Sequence, residues 1–190
     1  DALFGRLLLE INQAGLSWMT ILKKEDNFHR AYEGFSIKKI AGFQEEDISR
    51  LMLDQGIIRN RKKIEAAISN AKVISGLQKE YGSFRSWLDY HRHLSPEQWV
   101  VLFRKTFRFT GAEITGEFLT GTGFLPGAHA PDCPVGLQLS FAEKVIAQNR
   151  SLDLHIPLPD GIRAMNPFRE NPGALIASEA FYRKYYNDHK

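Results

Sequence analysis

The sequence EEDISRLMLDQGIIRNRKK, residues 45–63, contains the clearest structural signal in the chain. Its apolar residues recur at helical spacing up to Asp54, and Gln55-Gly56 then breaks the pattern. A longer helical stretch follows, from about Arg59 to Tyr81. We therefore predict two helices joined by a short turn, with a run of basic residues on the first turn of the second helix.

Helical periodicity recurs on both sides of this stretch, whereas alternation typical of strands is almost absent. The sequence therefore predicts an all-α protein. The further predicted helices cover residues 1–14, 17–28, 96–103, 112–119, 139–149 and 171–186.

Composition restricts the class of protein. With 190 residues, 43% hydrophobic and 25% charged, the chain is typical of globular domains, which excludes disordered and collagen-like proteins. Its single cysteine excludes an internal disulfide and fits a reducing compartment. No apolar run reaches the length of about 18 residues that spans a membrane. The chain starts at Asp1 without Met, so we expect a fragment that lacks its natural N-terminus.

The basic run on the second helix predicts an anion site. Free N–H groups on the first turn of a helix attract phosphate, and Arg59, Arg61 and Lys62 add positive charge there. The net charge of +3 is compatible with a polyanionic partner. Residues 45–63 thus have the outline of a helix-hairpin-helix that binds DNA, although an ordinary helical hairpin with a solvated basic face has the same pattern.

A second candidate site lies near the start of the chain. Glu10 is on the edge of an apolar helical stripe, so its carboxylate either belongs to a buried polar network or awaits a cationic ligand. Gly15 then permits a turn that directs Leu16 outward, just before Trp18. An exposed leucine is often only a loop residue, but an apolar wedge and an aromatic face beside a carboxylate suit an enzyme that flips a base.

A third candidate site is the proline-rich loop that contains His129 and Cys133. These two residues provide at most half of the four ligands of a structural zinc site. Asp132, between them, is a catalytic carboxylate or, as its loop context favours, a turn residue.

Several of these segments together resemble 3-methyladenine DNA glycosylase I, the bacterial constitutive alkylation-repair enzyme. The segments are Leu3-Phe4 to Glu10, QAGLSW at 13–18, ILKK at 21–24 and DQGIIRNR at 54–61 with Lys63-Ile64, followed by FRFTG at 107–111 and the His129/Cys133 pair. The resemblance extends from residue 3 to about 133 and does not cover the last fifty residues.

The resemblance implies a helix-hairpin-helix fold and hydrolysis of the bond that joins 3-methyladenine to deoxyribose in double-stranded DNA. It makes Glu10 the catalytic and base-recognising carboxylate and Trp18 the ring that stacks on the flipped base. It places Leu16 at the turn that intercalates into DNA, and the further expected DNA contacts are Gly15, Gly56, Ile58, Arg59, Arg61 and Lys62. Because N3-alkylated adenine is cationic, a desolvated carboxylate and an aromatic face favour it over neutral adenine.

We expect residues 1–136 to form the glycosylase domain. Residues 137–190, which the resemblance does not cover, are expected to form a C-terminal helical extension packed on that domain. In the family, an N-terminal segment supplies one further Cys and one further His, so His129 and Cys133 complete a structural zinc site only in the full-length protein. The expected protein is a cytoplasmic monomer that needs no cofactor for its chemistry.

Two other functions stay open at this stage. The first is a weak or inert relative that binds DNA through the helix-hairpin-helix only, because the N-terminal segment is missing and the loop at 123–128 lacks the family's Asn-Asp. The second is a glycosylase with lyase activity, in which Lys23 or Lys24 is the Schiff-base nucleophile.

Overall fold

The computed structural model describes residues 1–128. Nearly all of them belong to one compact unit, Asp1–Pro126. The described part is helical without strands, which confirms the predicted all-α class. Its helices are α1 (Ala2–Gln13), α2 (Trp18–Leu22), α3 (Glu25–Ala31), a 3-10 turn (Glu33–Phe35), α4 (Ile37–Ala41), α5 (Glu45–Leu53), α6 (Arg61–Tyr81), α7 (Phe84–Tyr90), α8 (Pro96–Thr106) and α9 (Ala112–Gly121).

Local capping signals set several of these boundaries. The Ser95 side chain accepts a hydrogen bond from Gln98 N at 3.3 Å, and the Gln98 side chain accepts one from Ser95 N at 2.8 Å. This reciprocal pair starts α8, with Pro96 in its first turn. At the end of α6, Gly82 has a φ of +83°, which ends the helix as the sequence predicts.

The predicted helix at 17–28 is two helices in the structure, α2 and α3. The chain turns at Lys24, where φ is −109° and ψ is 0°. The Lys24 ammonium donates to the carbonyls of Gln55 and Gly56, at 2.9 and 3.2 Å. These bonds anchor the chain to a segment 31 and 32 residues away, a contact that helical periodicity does not detect.

Helix α1 lies against much of the core. It contacts α2, α6, α7 and α9, and its inner residues, such as Leu7 and Leu8, are fully buried. A second set of buried side chains forms an aromatic cluster between α7, α8 and α9, with Trp87 and Phe103 in contact with several neighbouring rings. Helix α9 is thereby held beside α1.

No helix in residues 1–128 combines the length and apolar character needed to cross a bilayer. The predicted extension at 137–190, and the predicted helices at 139–149 and 171–186, lie outside the described residues.

Candidate functional site

Glu10 is the centre of a small buried charge cluster. Its side chain is only about 4% exposed, and Arg6 Nη2, one helical turn earlier, lies 2.6 Å from Glu10 Oε1. The Arg6 guanidinium also lies over the Trp18 ring, with Cζ 4.5 Å from the ring centroid. The carboxylate and the indole, which come from different helices, therefore contact the same planar cation.

The environment of Glu10 favours its neutral form when no cation is close. Burial raises the pKa of the Glu10 carboxyl above its usual value, and the nearby negative charge of Glu117 on α9 raises it further. The ion pair and hydrogen bond from Arg6 act in the opposite direction. The site is thus a desolvated acid that binds most favourably to a positively charged group.

Trp18 is positioned by the start of α2. The Ser17 hydroxyl accepts a hydrogen bond from Thr20 N at 3.3 Å and forms the N-cap of this helix. The half-buried indole directly follows this cap. The Ser17 cap therefore fixes the aromatic face that contacts the cation.

The turn between α1 and α2, residues 14–17, presents apolar side chains to solvent; we call it the wedge turn. Gly15 has a φ of +81°, a conformation that favours glycine, and it has open space around its Cα. Leu16 is 39% exposed and Met19, on the first turn of α2, is 57% exposed. The structure therefore places the predicted wedge residue Leu16 at a solvent-facing turn beside Trp18.

Lys63 connects this turn to α6. Its side chain is buried, and its ammonium donates to the carbonyls of Asn12 and Ala14 at 3.0 and 2.8 Å. Burial lowers the pKa of Lys63 below its ordinary value. The first turn of α6 and the wedge turn are thus held together by one buried cation.

The segment between α5 and α6, residues 54–60, is a tight turn. Asp54 Oδ1 accepts a hydrogen bond from Gly56 N at 2.7 Å. A Cβ on Gly56 would lie 2.9 Å from that oxygen and 3.0 Å from the Asn27 side chain, so only glycine fits without displacement. Ile57 is buried in the core and Ile58 partly so, which anchors the turn.

Arg59, Arg61 and Lys62 are exposed, unlike Lys63, but they are not equivalent. Asn60 caps α6 by accepting from Lys63 N at 3.2 Å. Arg61 donates two hydrogen bonds to the Glu45 carboxylate, at 2.8 and 2.7 Å, and one to Glu65 at 2.8 Å. A phosphate at Arg61 would therefore have to compete with two carboxylates, whereas Lys62 is exposed and would be a simpler contact for a phosphate.

The structure brings Glu10 and Trp18 together and places Leu16 at an exposed turn. None of Arg6, Lys63 and Glu117 is predicted from the sequence as part of the site. The signal for Arg6 was its spacing of four residues before Glu10, which places both side chains on one helix face.

The structure does not describe the predicted zinc ligands. His129, Asp132 and Cys133 lie outside the described residues. Within residues 1–128, no three His, Cys, Asp or Glu side chains are grouped so that they could hold a metal ion.

Comparisons with known proteins give the family of the chain. The curated relatives include DNA-3-methyladenine glycosylase 1 of Escherichia coli K12, 51% identical over 71 residues (37% of this chain and 38% of that protein), and DNA-3-methyladenine glycosylase of Haemophilus influenzae Rd, 44% identical over 77 residues (40% and 42%). These matches span less than half the length of either relative.

The fold has solved counterparts as well. A variant of 3-methyladenine DNA glycosylase I in complex with 3-methyladenine superposes with a TM-score of 0.65 and 32% identity, over 70% of this chain and 81% of that one. The profile of the methyladenine glycosylase family matches residues 1–100, more than half of the 190 residues. The chain therefore belongs to the methyladenine glycosylase family.

Proposed function

We propose that this protein is a monofunctional DNA glycosylase that hydrolyses the N-glycosidic bond of 3-methyladenine in alkylated DNA. The observation that carries the proposal is the convergence of a buried carboxylate, Glu10, and an aromatic face, Trp18, on one planar cation. Adenine alkylated at N3 is itself a planar cation, so the same two groups suit it.

The chemistry requires little from the protein beyond binding and orientation. When the glycosidic bond breaks, its electron pair goes to the base, which leaves as neutral 3-methyladenine. The oxygen of a water molecule bonds to the sugar carbon as that carbon becomes electron-poor, and the water releases a proton. Glu10 holds the cationic base by charge and Trp18 by stacking, so both position the base while the bond breaks.

Entry of the base into the site requires that the base leave the double helix. Leu16, at the exposed turn, fills the space that the flipped base vacates. Residues 45–63 act as the helix-hairpin-helix, and Lys62 and the first turn of α6 bind a phosphate of double-stranded DNA. Lys63 joins the first turn of α6 to the wedge turn. A phosphate bound at α6 and the inserted Leu16 side chain therefore lie at fixed positions relative to each other.

The experiment is chromatographic detection of free bases released from methylated DNA. We expect the wild-type chain to release 3-methyladenine, Glu10→Gln to lose that release, and Glu113→Gln, which changes an exposed carboxylate on α9, to retain it. Equal release by Glu10→Gln and wild type would contradict the role of Glu10. A covalent DNA adduct trapped with borohydride would contradict the monofunctional mechanism and indicate a lyase lysine.

One observation favours a second candidate function. Arg6 occupies the space between Glu10 and Trp18, as it would in a relative that binds DNA but has no working pocket. Such a relative would bind duplex DNA and release no base. The same assay, combined with a DNA-binding measurement, distinguishes the two functions.

We further propose that the protein is a cytoplasmic monomer with one structural zinc ion. His129 and Cys133 would supply two of its ligands. Elemental analysis of the purified protein tests the zinc site, and no bound zinc, or unchanged stability in His129→Ala, would contradict it.

A further inference from the structure

Arg6 fills the position that the proposed function gives to the flipped base. Its guanidinium is flat and positively charged, contacts the Glu10 carboxylate at 2.6 Å and lies 4.5 Å from the centre of the Trp18 ring. On the α9 side, a Cβ on Gly121 would lie only 3.0 Å from Arg6 Nη2. The guanidinium thus contacts groups from α1 and α2 and lies close to the end of α9.

The fit of Arg6 in this position is incomplete. Its Nε is buried and has no hydrogen-bond partner within residues 1–128. A buried donor without a partner costs free energy that is recovered when the group reaches water. The Arg6 side chain is also 24% exposed, so it has access to solvent. Arg6 is therefore held by Glu10 and Trp18, yet it is able to leave.

We propose that Arg6 is an internal occupant of the base site, a residue that mimics the cationic base and must move out before a flipped base enters. This inference rests on the proposed function. Every base has to displace the same guanidinium in order to enter the site. Arg6 therefore sets the minimum binding free energy that a flipped base must gain from the site.

The effect of Arg6 on different bases follows from simple competition. The free energy needed to move Arg6 out is the same for each incoming base, so it weakens all of them by one factor and leaves their ratio unchanged. The preference for a cation comes from Glu10 instead, because a neutral base would leave a buried carboxylate without a partner. Arg6 therefore lowers the affinity for every base, while Glu10 sets the preference for a cationic base.

The first test uses Arg6→Met, an uncharged side chain of similar length with high helix propensity. We expect a lower KM for release of 3-methyladenine with unchanged kcat. We also expect tighter binding to a duplex that contains 3-deaza-3-methyladenine, a stable uncharged analogue. The gain is roughly three- to tenfold in both, the range for loss of a partly buried ion pair and a cation–π contact. Binding to an unmodified duplex stays the same.

Arg85→Met is the matched control for this test. Arg85 also pairs with an acid four residues later, Asp89 at 3.4 Å, and it lies 5.9 Å from the Phe124 ring centroid. It has the same kind of contacts away from Glu10, so its variant should show no gain. If Arg6→Met folds and binds the analogue duplex no more tightly than wild type, the inference is wrong.

The second test does not depend on catalysis. Arg6→Ala leaves a space that methylguanidinium fits, so low millimolar methylguanidinium should raise the Tm of Arg6→Ala relative to wild type and to Arg85→Ala. No such difference would overturn the inference. If methylguanidinium stabilises Arg6→Ala while the wild-type chain releases no base, the proposed function fails and the cation site stands. If wild type releases base while both tests on Arg6 are negative, only the inference fails.

Discussion

The burial of the Glu10 carboxylate lowers the free energy of unfolding, which is the reason to assign this residue a function. A carboxylate with about 4% exposure loses most of its hydration, and Arg6 is the one cation that contacts it among the described residues. A well-packed apolar side chain at this position would be equally compatible with the apolar stripe of α1. Because the charge is retained next to Trp18, the site is organised to bind a cation rather than to maximise stability.

The raised pKa of Glu10 gives stability a defined pH dependence. Between the ordinary pKa of glutamate and the raised pKa of Glu10, the folded protein holds a proton on Glu10 that the unfolded chain has lost. The free energy of unfolding should therefore fall as pH rises from the ordinary pKa of glutamate through the raised pKa of Glu10. Urea unfolding at a series of pH values measures this. Glu10→Gln should lack this part of the slope, and an identical slope in both proteins would contradict the assignment.

The ionisation of Glu10 should also affect base release, but here the higher pH is the favourable one. Recognition of a cationic base requires the ionised form of Glu10, so kcat/KM for 3-methyladenine release should fall as pH drops through the raised pKa of Glu10. The acid limb of this profile lies above the ordinary glutamate pKa. A pH-independent kcat/KM across that range would show that the charge of Glu10 is not used.

At the scale of elements, Lys63 connects α6 to the end of α1. The last carbonyls of a helix have no partners within it, and a cation there is favourable. The Lys63 ammonium takes this position by binding the carbonyls of Asn12 and Ala14. The Lys63 side chain therefore helps to hold the wedge turn against the first turn of α6.

Replacement of Lys63 by Met keeps the length of the side chain and removes both hydrogen bonds. We expect Lys63→Met to lower the free energy of unfolding by about 1–3 kcal/mol, the range for loss of a buried hydrogen-bonding partner. We also expect a higher KM for base release, because the wedge turn loses its attachment. Urea unfolding and the base-release assay measure the two effects. Lys72→Met, an exposed lysine on the same helix, serves as control, and equal effects of the two variants would refute this role.

In the whole molecule, the features that the sequence predicts are those that depend on residues close together in the chain. The start of α8 at Ser95 and the end of α6 at Gly82 follow from capping residues, and the burial of Glu10 follows from helical spacing. The break at Lys24 was missed because it depends on the carbonyls of residues 55 and 56, far along the chain. The position of Arg6 was missed for the same reason, since Trp18 and Gly121 belong to other elements.

DNA binding could depend either on the net charge of the molecule or on a phosphate contact at the first turn of α6, and two lysines on α6 distinguish these cases. Lys62 and Lys72 are both exposed on α6, about 15 Å apart along the helix axis, and changing either to Gln removes one unit from the net charge of +3.

If Lys62 contacts a phosphate, Lys62→Gln should weaken binding to every DNA sequence alike. It should also reduce the slope of log K against log salt concentration by about 0.9, whereas Lys72→Gln should leave this slope unchanged. Binding isotherms for one duplex at several salt concentrations measure both slopes. Equal slopes for the two variants would mean that the molecule binds DNA through its overall charge, because a localised phosphate contact at the helix start distinguishes the two lysines.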